Sequence, residues 1–287
     1  MADAIRACGL EPVMLRSKEV DVLKGATRAY LLARVPVILI GSVYAENEPD
    51  REKGVHAVVV TGFGTTTASN PSGLPNLEAY RLGKLYAHDD GVGPFARMEF
   101  ISGGDGEEAT LTTSAAPTSD GIGSHFFRPE GLLIPVYHKI RVAYPNILAQ
   151  LSKFDSYLAW LRENGAHVAQ FIWDIRLTTV NDYKRECIDN AALGTRRRTL
   201  LEAPMPRFMW LVRGIEGASG AVDLLFDATG LETTDLCFRS VTHGTDIVEW
   251  LRVFSDAVPS QARDFGCDGI VRRLIESQPS VDHASDE

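Results

Sequence analysis

The sequence predicts an α+β fold, with an antiparallel or mixed sheet flanked by helices and a second α+β region after it. Apolar runs rich in β-branched residues dominate the first half of the chain, as expected for buried strands. Long helical patterns alternate with strands in the second half. Hydrophobic residues make up 45% and charged residues 23% of the 287 residues, as in an ordinary globular protein.

The first half predicts mostly strands. Residues 2–7 predict the last turns of a helix that ends at Gly9, and residues 20–34 predict an amphipathic helix. Predicted strands follow in the order "EPVMLR", "VPVILIGSVY", "VHAVVVTGFG", "KLYAHD", "RMEFIS", "EATLTTS" and "GLLIPVY", the first of them before the helix. The polar segment "AENEPDREKG" predicts a loop, and residues 65–83 predict a surface excursion. Loops are also expected at "GGDGEE" and "AAPTSDGIGS".

The pattern changes near Pro145, which predicts a division into residues 1–135 and 136–287. A helix over residues 146–165 precedes a strand over 167–180, and Asn181 is the expected cap of the next helix. A hairpin with a Gly/Ser turn and the strand "LCFRSVTH" come next. Closing helices are predicted at "TDIVEWLRVFSDAV" and "CDGIVRRLIESQ", before a frayed tail over residues 279–287.

Composition also limits the partners. A formal net charge of −9 argues against nucleic acid, and the short basic run Arg196-Arg197-Arg198 is typical of a solvated helix end or loop. No apolar segment approaches the roughly 20 residues that span a bilayer, so no membrane partner and a cytoplasmic location are expected. The four cysteines lack CxxC spacing, which indicates neither a zinc ribbon nor a disulfide framework. No phosphate-loop motif follows "GFG", so no cofactor is expected.

The candidate site combines an imidazole with two carboxylates. His56 begins one apolar strand, and Asp89 and Asp90 end the next. In an antiparallel or mixed sheet, the beginning of one strand lies beside the end of its neighbour, so these side chains are expected to meet. A carboxylate that accepts one ring N–H orients the imidazole, and the other ring nitrogen then serves a nucleophile.

These residues resemble a family. "VPVILIG", "GVHAVVVTGF" and "LYAHDD" are similar to the core of papain-like cysteine peptidases, in particular the double-glycine-leader peptidases that process bacteriocins. The resemblance covers about residues 9–98, and implies a histidine base at His56 and an orienting acid at Asp89. Asp90 is the alternative, because a shift of one residue reverses the face of a strand. "WDIRLTTVND" and "LLFDAT" resemble a group of bacterial papain-like proteins to which no activity is assigned.

The nucleophile departs from the family's pattern. Cys8 is the only cysteine before His56, and Gly9 after it indicates the C-terminal end of a helix, where the dipole disfavours a thiolate. A catalytic cysteine upstream of Met1 therefore stays an alternative. Three functions follow: thiol hydrolysis of a peptide or isopeptide bond, a peptide-binding module on a degenerate peptidase fold, or a metal-dependent hydrolase around His56, His88, Asp89 and Asp90. The expected partner is a peptide or protein substrate, and the oligomeric state is left open.

Three further features are interpreted as structural. Asp174, Arg176 and Thr178 share one face of a strand, which favours an ion pair on a solvated surface over a functional cluster. Asp227 is expected to end a strand as a turn former. The four tryptophans indicate core or interdomain packing, given the acidic charge.

Overall fold

The computed structural model describes residues 1–45, 48–67, 75–101, 108–114, 124–194, 196–216, 219–230, 236–243 and 259–277. Strands and helices are both present in quantity, which confirms the predicted α+β class. The predicted helix at 245–258, the loop residues 103–107 and 115–123, and the tail lie outside the described residues. None of the described helices is long and apolar enough to cross a membrane.

The helices are α1 (Ala2–Ala7), α2 (Val20–Leu32), α3 (Tyr144–Glu163), α4 (Val180–Asp189), α5 (Arg196–Glu202), α6 (Pro259–Asp264) and α7 (Asp268–Glu276). The strands of the first sheet are β1 (Leu10–Arg16), β2 (Val37–Ala45), β3 (Glu48–Thr65), β4 (Leu82–Asp89), β5 (Gly93–Phe100), β6 (Leu111–Ser114) and β7 (Ser124–Tyr137). Those of the second sheet are β8 (Ile172–Thr179), β9 (Phe208–Glu216), β10 (Ser219–Asp227) and β11 (Cys237–Thr242). Short 3₁₀ turns cover Glu78–Arg81 and Ala191–Leu193.

The first sheet closes into an antiparallel barrel. Its order is β1-β7-β2-β3-β4-β5-β6, and β6 pairs back onto β7, so that six strands form a ring and β1 extends β7. The 14-residue β7 makes this closure possible because its beginning pairs with β6, its middle with β2 and its end with β1. Alternate residues along the strands are buried, as in the run Leu85, Ala87 and Asp89 of β4.

Strand β3 corrects the predicted loop at "AENEPDREKG". The strand begins at Glu48, and it pairs with the end of β2 through two irregularities, between Val43, Tyr44 and Ala45. Residues 50–54 are exposed on both faces of this ribbon. Their sequence therefore lacks the apolar alternation that marks a half-buried strand.

The predicted surface excursion over residues 65–83 is wrong in its second part. Leu77 is buried, and the Trp173 N–H donates to the carbonyl oxygen of Asn76 at 2.7 Å. An isolated parallel bridge between Leu77 and Trp173 thus attaches this segment to β8. Residues 68–74 lie outside the described part of the chain.

The second sheet is an antiparallel meander in the order β11-β10-β9-β8, and it carries apolar residues on both faces. One face belongs to a large cluster shared with the barrel, α2, α3 and α7, and it includes Trp173 and Trp210. The other face packs against α4 and α5 through a smaller cluster around Tyr183 and Leu211. Both buried tryptophans are core residues, as the sequence indicates. The division between residues 135 and 136 stays a prediction.

Helix α4 begins two residues earlier than predicted. The cap is Thr179 rather than Asn181, because the Thr179 hydroxyl accepts the N–H of Asp182 at 3.2 Å and donates to the Asp182 carboxylate. The threonine satisfies a free N–H of the first turn, which is the usual role of an N-cap residue.

Candidate functional site

The structure brings His56, Asp89 and Asp90 together at the end of β4, which we call the barrel mouth. The His56 Nε2 lies 3.1 Å from Asp89 Oδ1 and 3.5 Å from Asp90 Oδ1. Asp89 is buried, with 7% of its side chain exposed, whereas 30% of His56 and 90% of Asp90 are exposed. Solvent exposure of the three side chains therefore increases from Asp89 through His56 to Asp90.

Strand register explains why His56 meets Asp89. Val60 lies opposite Ala87 and Val59 lies opposite His88 in the antiparallel pair of β3 and β4. Continuing this register places Asp89 diagonally beside His56 on the buried face, within the reach of same-face neighbours. His56 is not the first residue of its strand as predicted, because β3 begins at Glu48, but the expected contact between His56 and Asp89 at the end of β4 is present.

A turn holds the Asp89 carboxylate in place. Its Oδ1 accepts the backbone N–H of Gly91 at 2.8 Å, as in an Asx turn, and the same oxygen faces His56. Asp90 is the first residue after β4 and lies in the turn toward β5. Asp89 is thus positioned by the backbone, while the Asp90 side chain is exposed to solvent.

His88 does not belong to this group. Its side chain is on the outward face of β4 and packs against Phe95, with ring centroids 5.1 Å apart. The predicted set of four metal ligands, which includes His88, is therefore wrong. Within the part of the chain that the structure describes, His56, Asp89 and Asp90 form the group of potential metal ligands, and their ligand atoms all lie within 4.8 Å of one another.

Cys8 is far from His56. It is exposed at the C-terminal end of α1, and its N–H donates back to the Ala4 and Ile5 carbonyl oxygens. Strand β1, which follows Cys8, begins with Leu10 opposite Tyr137 of β7. His56 lies opposite Gly41 of β2, and Gly41 lies opposite Pro129 of β7. The separation of eight residues along β7 (137 − 129 = 8) corresponds to about 25 Å. Cys8 is therefore not the nucleophile of a pair with His56.

A second polar cluster, which the sequence analysis did not single out, lies on the second sheet under α4. Asp223 is fully buried and its carboxylate accepts the Arg213 Nε at 2.6 Å, the Arg213 Nη2 at 2.9 Å and the Tyr183 hydroxyl at 3.2 Å. The His243 Nε2 lies 3.0 Å from the same carboxylate, and Glu186 receives a longer bond from Arg213 at 3.3 Å.

The electrostatics of this cluster favour an ionised Asp223. Burial alone would raise the pKa of Asp223, but hydrogen bonds from Arg213 and His243, together with their charges, lower that pKa well below its usual range. Burial and the neighbouring Asp223 raise the pKa of Tyr183, which keeps the phenol a hydrogen-bond donor. The sequence contains a sign of this cluster, because each of the apolar runs "AVDLLF" and "MWLVRGI" includes one charged residue. These two residues, Asp223 and Arg213, lie opposite each other in the hairpin.

Other charged residues make structural contacts. Asp174 bonds to Arg28 of α2, and Arg176 donates to Glu186 of α4 at 2.6 Å, so both residues pair with helices and the predicted cross-strand ion pair on a solvated face is wrong. The Asp227 carboxylate accepts the Thr229 N–H at 2.7 Å, as expected of a turn former. Arg196, Arg197 and Arg198 donate to Thr242, the Asn190 carbonyl oxygen and Glu202 respectively.

Comparisons with known proteins find few likenesses. No family model and no curated protein matches the chain. Two solved structures do: a complex of EndoMS with double-stranded DNA (10% identity, 90% of this chain and 84% of that chain, TM-score 0.21) and EndoMS in its apo form (10% identity, 92% and 93%, TM-score 0.23). Scores this low transfer neither a fold nor a function to this chain.

Two predictions are corrected nonetheless. Cys8, the only cysteine before His56 in the sequence, is remote from that histidine, so the predicted papain-like thiol hydrolysis is wrong. The peptide-binding alternative on a degenerate peptidase fold is set aside with it. The exclusion of nucleic acid as a partner is also withdrawn, since it rested on the net charge of the chain alone. The resemblance in sequence to papain-like proteins is not tested and stays a prediction.

Proposed function

We propose that the chain binds a divalent first-row metal ion at the barrel mouth through His56, Asp89 and Asp90. The observation that carries this proposal is the convergence of one imidazole nitrogen and two carboxylate oxygens within 4.8 Å of one another. Backbone register and the turn at Gly91 fix two of these ligands, His56 and Asp89, beside each other.

The distances suit a shared ion. Two ligand atoms that are each about 2.1 Å from one metal lie about 3.0 Å apart at octahedral angles and about 3.4 Å apart at tetrahedral angles. The His56 Nε2 is 3.1 Å from Asp89 Oδ1 and 3.5 Å from Asp90 Oδ1. The two distances to His56 therefore fit one shared ion, and the exposed Asp90 side chain can adjust its distance to Asp89.

The ligand set favours a particular class of ion. Imidazole nitrogen binds zinc, iron, nickel and copper well, whereas calcium and magnesium prefer oxygen ligands alone. Two carboxylates beside one imidazole suit Zn²⁺ or Mn²⁺. The N–H of Gly91 bonded to Asp89 Oδ1 is the kind of outer contact that orients a metal ligand. Three protein ligands leave further positions on the ion for solvent, on the side where Asp90 is exposed.

The test is calorimetric titration of the purified chain with Zn²⁺ and with Mn²⁺, alongside elemental analysis. His56→Ala and Asp89→Asn should each weaken binding by at least about tenfold, because each removes a ligand. Asp90→Asn should have a smaller effect, since that side chain is exposed and lies farther from His56. The matched control is His88→Ala, which removes the outward imidazole of the same strand and should bind like the wild type.

Two results would overturn the proposal. The wild-type chain could show no saturable heat with either ion, in which case His56 and Asp89 form a structural hydrogen bond. Alternatively, His56→Ala could bind as tightly as His88→Ala, which would place the ion elsewhere. Thermal unfolding of each variant without metal separates loss of a ligand from loss of the fold.

A further inference from the structure

A cavity of about 360 Å³ lies between the end of α2, the end of β7, the end of β8 and α4. Its volume is at the small end of the range for ligand pockets, roughly 300–1,000 Å³. The apolar part of its lining includes Val35, Ile140 and Leu177. The charged part consists of side chains from α4 and β8, together with Arg34 just after α2. The barrel mouth is not part of this lining.

One wall of the cavity is aromatic. Tyr137 stacks on Phe208 with ring centroids 5.4 Å apart and an interplanar angle of 20°. Phe208 is buried, whereas 53% of Tyr137 is exposed. A large ring that is supported on one face and open to solvent is suited to packing against a planar group of a ligand.

Most charges in the lining already have partners. Arg176 donates to Glu186 at 2.6 Å, and Arg185 pairs with Asp182 at 3.1 Å. These four groups therefore leave no net charge for a ligand to compensate, and the Arg176–Glu186 pair joins β8 to α4.

Arg34 and Asp189 are different. Both are exposed and line the cavity, and no hydrogen bond or ion pair of either side chain is found among the residues that the structure describes. One is a cation at the end of α2 and the other an anion at the end of α4, and they are not paired with each other. The cavity thus presents one unpaired charge of each sign beside an aromatic wall.

The backbone at Arg34 adds an independent observation. Helix α2 ends in a Schellman motif, in which the Val35 N–H bonds to the Tyr30 carbonyl and the Arg34 N–H to the Leu31 carbonyl. Arg34 occupies the left-handed position at φ 61°, where glycine is usual. An arginine there costs stability, and its side chain makes no hydrogen bond or ion pair that offsets the cost within the described chain.

We propose that this cavity binds a free aromatic amino acid. The ligand carboxylate would pair with Arg34, its ammonium group with Asp189, and its ring would pack along Tyr137 and the apolar lining. A zwitterion with a planar side chain matches the two unpaired charges and the aromatic wall, and such a molecule is small enough for the cavity.

The experiment is calorimetric titration with L-tryptophan, tryptamine and indole-3-propionate as probes. Tryptamine lacks the carboxylate and indole-3-propionate lacks the amine, so each should bind about tenfold or more weakly than L-tryptophan. Arg34→Gly should abolish the preference for L-tryptophan over tryptamine. Asp189→Asn should abolish the preference over indole-3-propionate. Arg198→Ala, at an exposed arginine outside this cavity, is the control and should behave like the wild type.

Folding does not confound this test. Arg34→Gly places glycine at a left-handed position, so its unfolding midpoint should be unchanged or higher while its affinity falls. Absence of saturable binding by L-tryptophan overturns the proposal, as does an Arg34→Gly variant that keeps the wild-type preference. His56→Ala should bind L-tryptophan normally, so failure of the metal site and failure of this cavity are distinguishable.

Discussion

Replacement of Asp223 by asparagine should destabilise the protein severely. The change keeps the size of the side chain but removes the charge that faces Arg213, whose guanidinium makes two bonds to Asp223, at 2.6 and 2.9 Å. Only 23% of the Arg213 side chain is exposed, and its remaining carboxylate partner is Glu186 at 3.3 Å. Removing one partner of a buried ion pair typically costs about 3–5 kcal/mol, because the other charge stays buried and uncompensated.

Urea unfolding monitored by tryptophan fluorescence and by circular dichroism measures this cost. Asp182→Asn is the matched control, since Asp182 is an exposed acid of α4 that pairs with Arg185 of the same helix. The free energy of unfolding of this variant should fall by less than about 1 kcal/mol. The double variant with Arg213→Met should lose less than the sum of the single losses, because both charges disappear together. A loss below about 1 kcal/mol for Asp223→Asn would refute the reasoning.

The same residue predicts a pH dependence. The folded state lowers the pKa of Asp223, so its contribution to stability is fully present above the unfolded pKa of about 3.9 and is lost as the pH falls below that value. The wild-type free energy of unfolding should therefore fall on acidification below about pH 4. Asp223→Asn should show a shallower decline over the same range, because the titrating group is gone.

Two further predictions concern packing and thiols. Gly41→Ala should destabilise the barrel by about 1–3 kcal/mol, because the added Cβ would lie 2.3 Å from the Arg128 carbonyl oxygen and 2.7 Å from the Phe127 ring. Gly62→Ala, whose Cβ would meet only Tyr86 atoms at 3.8 Å, should be nearly neutral in the same unfolding assay, and equal losses would contradict the account. Iodoacetamide should modify Cys8 in the folded protein and spare the three buried cysteines, one of which, Cys267, has its pKa raised by burial to about 12. Rapid native labelling of Cys267, mapped by mass spectrometry, would show that the buried thiols are accessible.

Sequence reasoning succeeds where one local pattern decides the structure. The apolar, β-branched runs in β2 and β3 are strands as predicted. A continuous apolar run of this kind is typical of a strand that is buried on both faces, and their apolar residues are largely buried here. The contact between His56 and Asp89 follows from the antiparallel register of β3 and β4, although β3 begins at Glu48 rather than at His56. The preference for Asp89 over Asp90 as the inward residue follows from the alternation of faces along a strand.

Sequence reasoning fails where distant segments decide. Barrel closure depends on the pairing of β6 with the first residues of β7. The local sequence "SHFFRP" does not indicate which strand these residues pair with. The exposed ribbon at residues 50–54 shows no alternation because neither face is buried. The peptidase hypothesis needed Cys8 near His56, but the topology inserts β7 and β2 between the strand that follows Cys8 and the strand that carries His56.

The two proposed sites differ in how visible they are to sequence analysis, and the difference is physical. The ligands at the barrel mouth are brought together by one strand pair and one turn, so spacing along the chain carries the information. The cavity is assembled from five separate elements, α2, β7, β8, α4 and β9, and its two unpaired charges are 155 positions apart (189 − 34 = 155). The one local sign of it is Arg34, where the helix end favours glycine. Since local rules and the fold normally agree, a position that breaks a rule without a compensating contact is where a ligand should be sought.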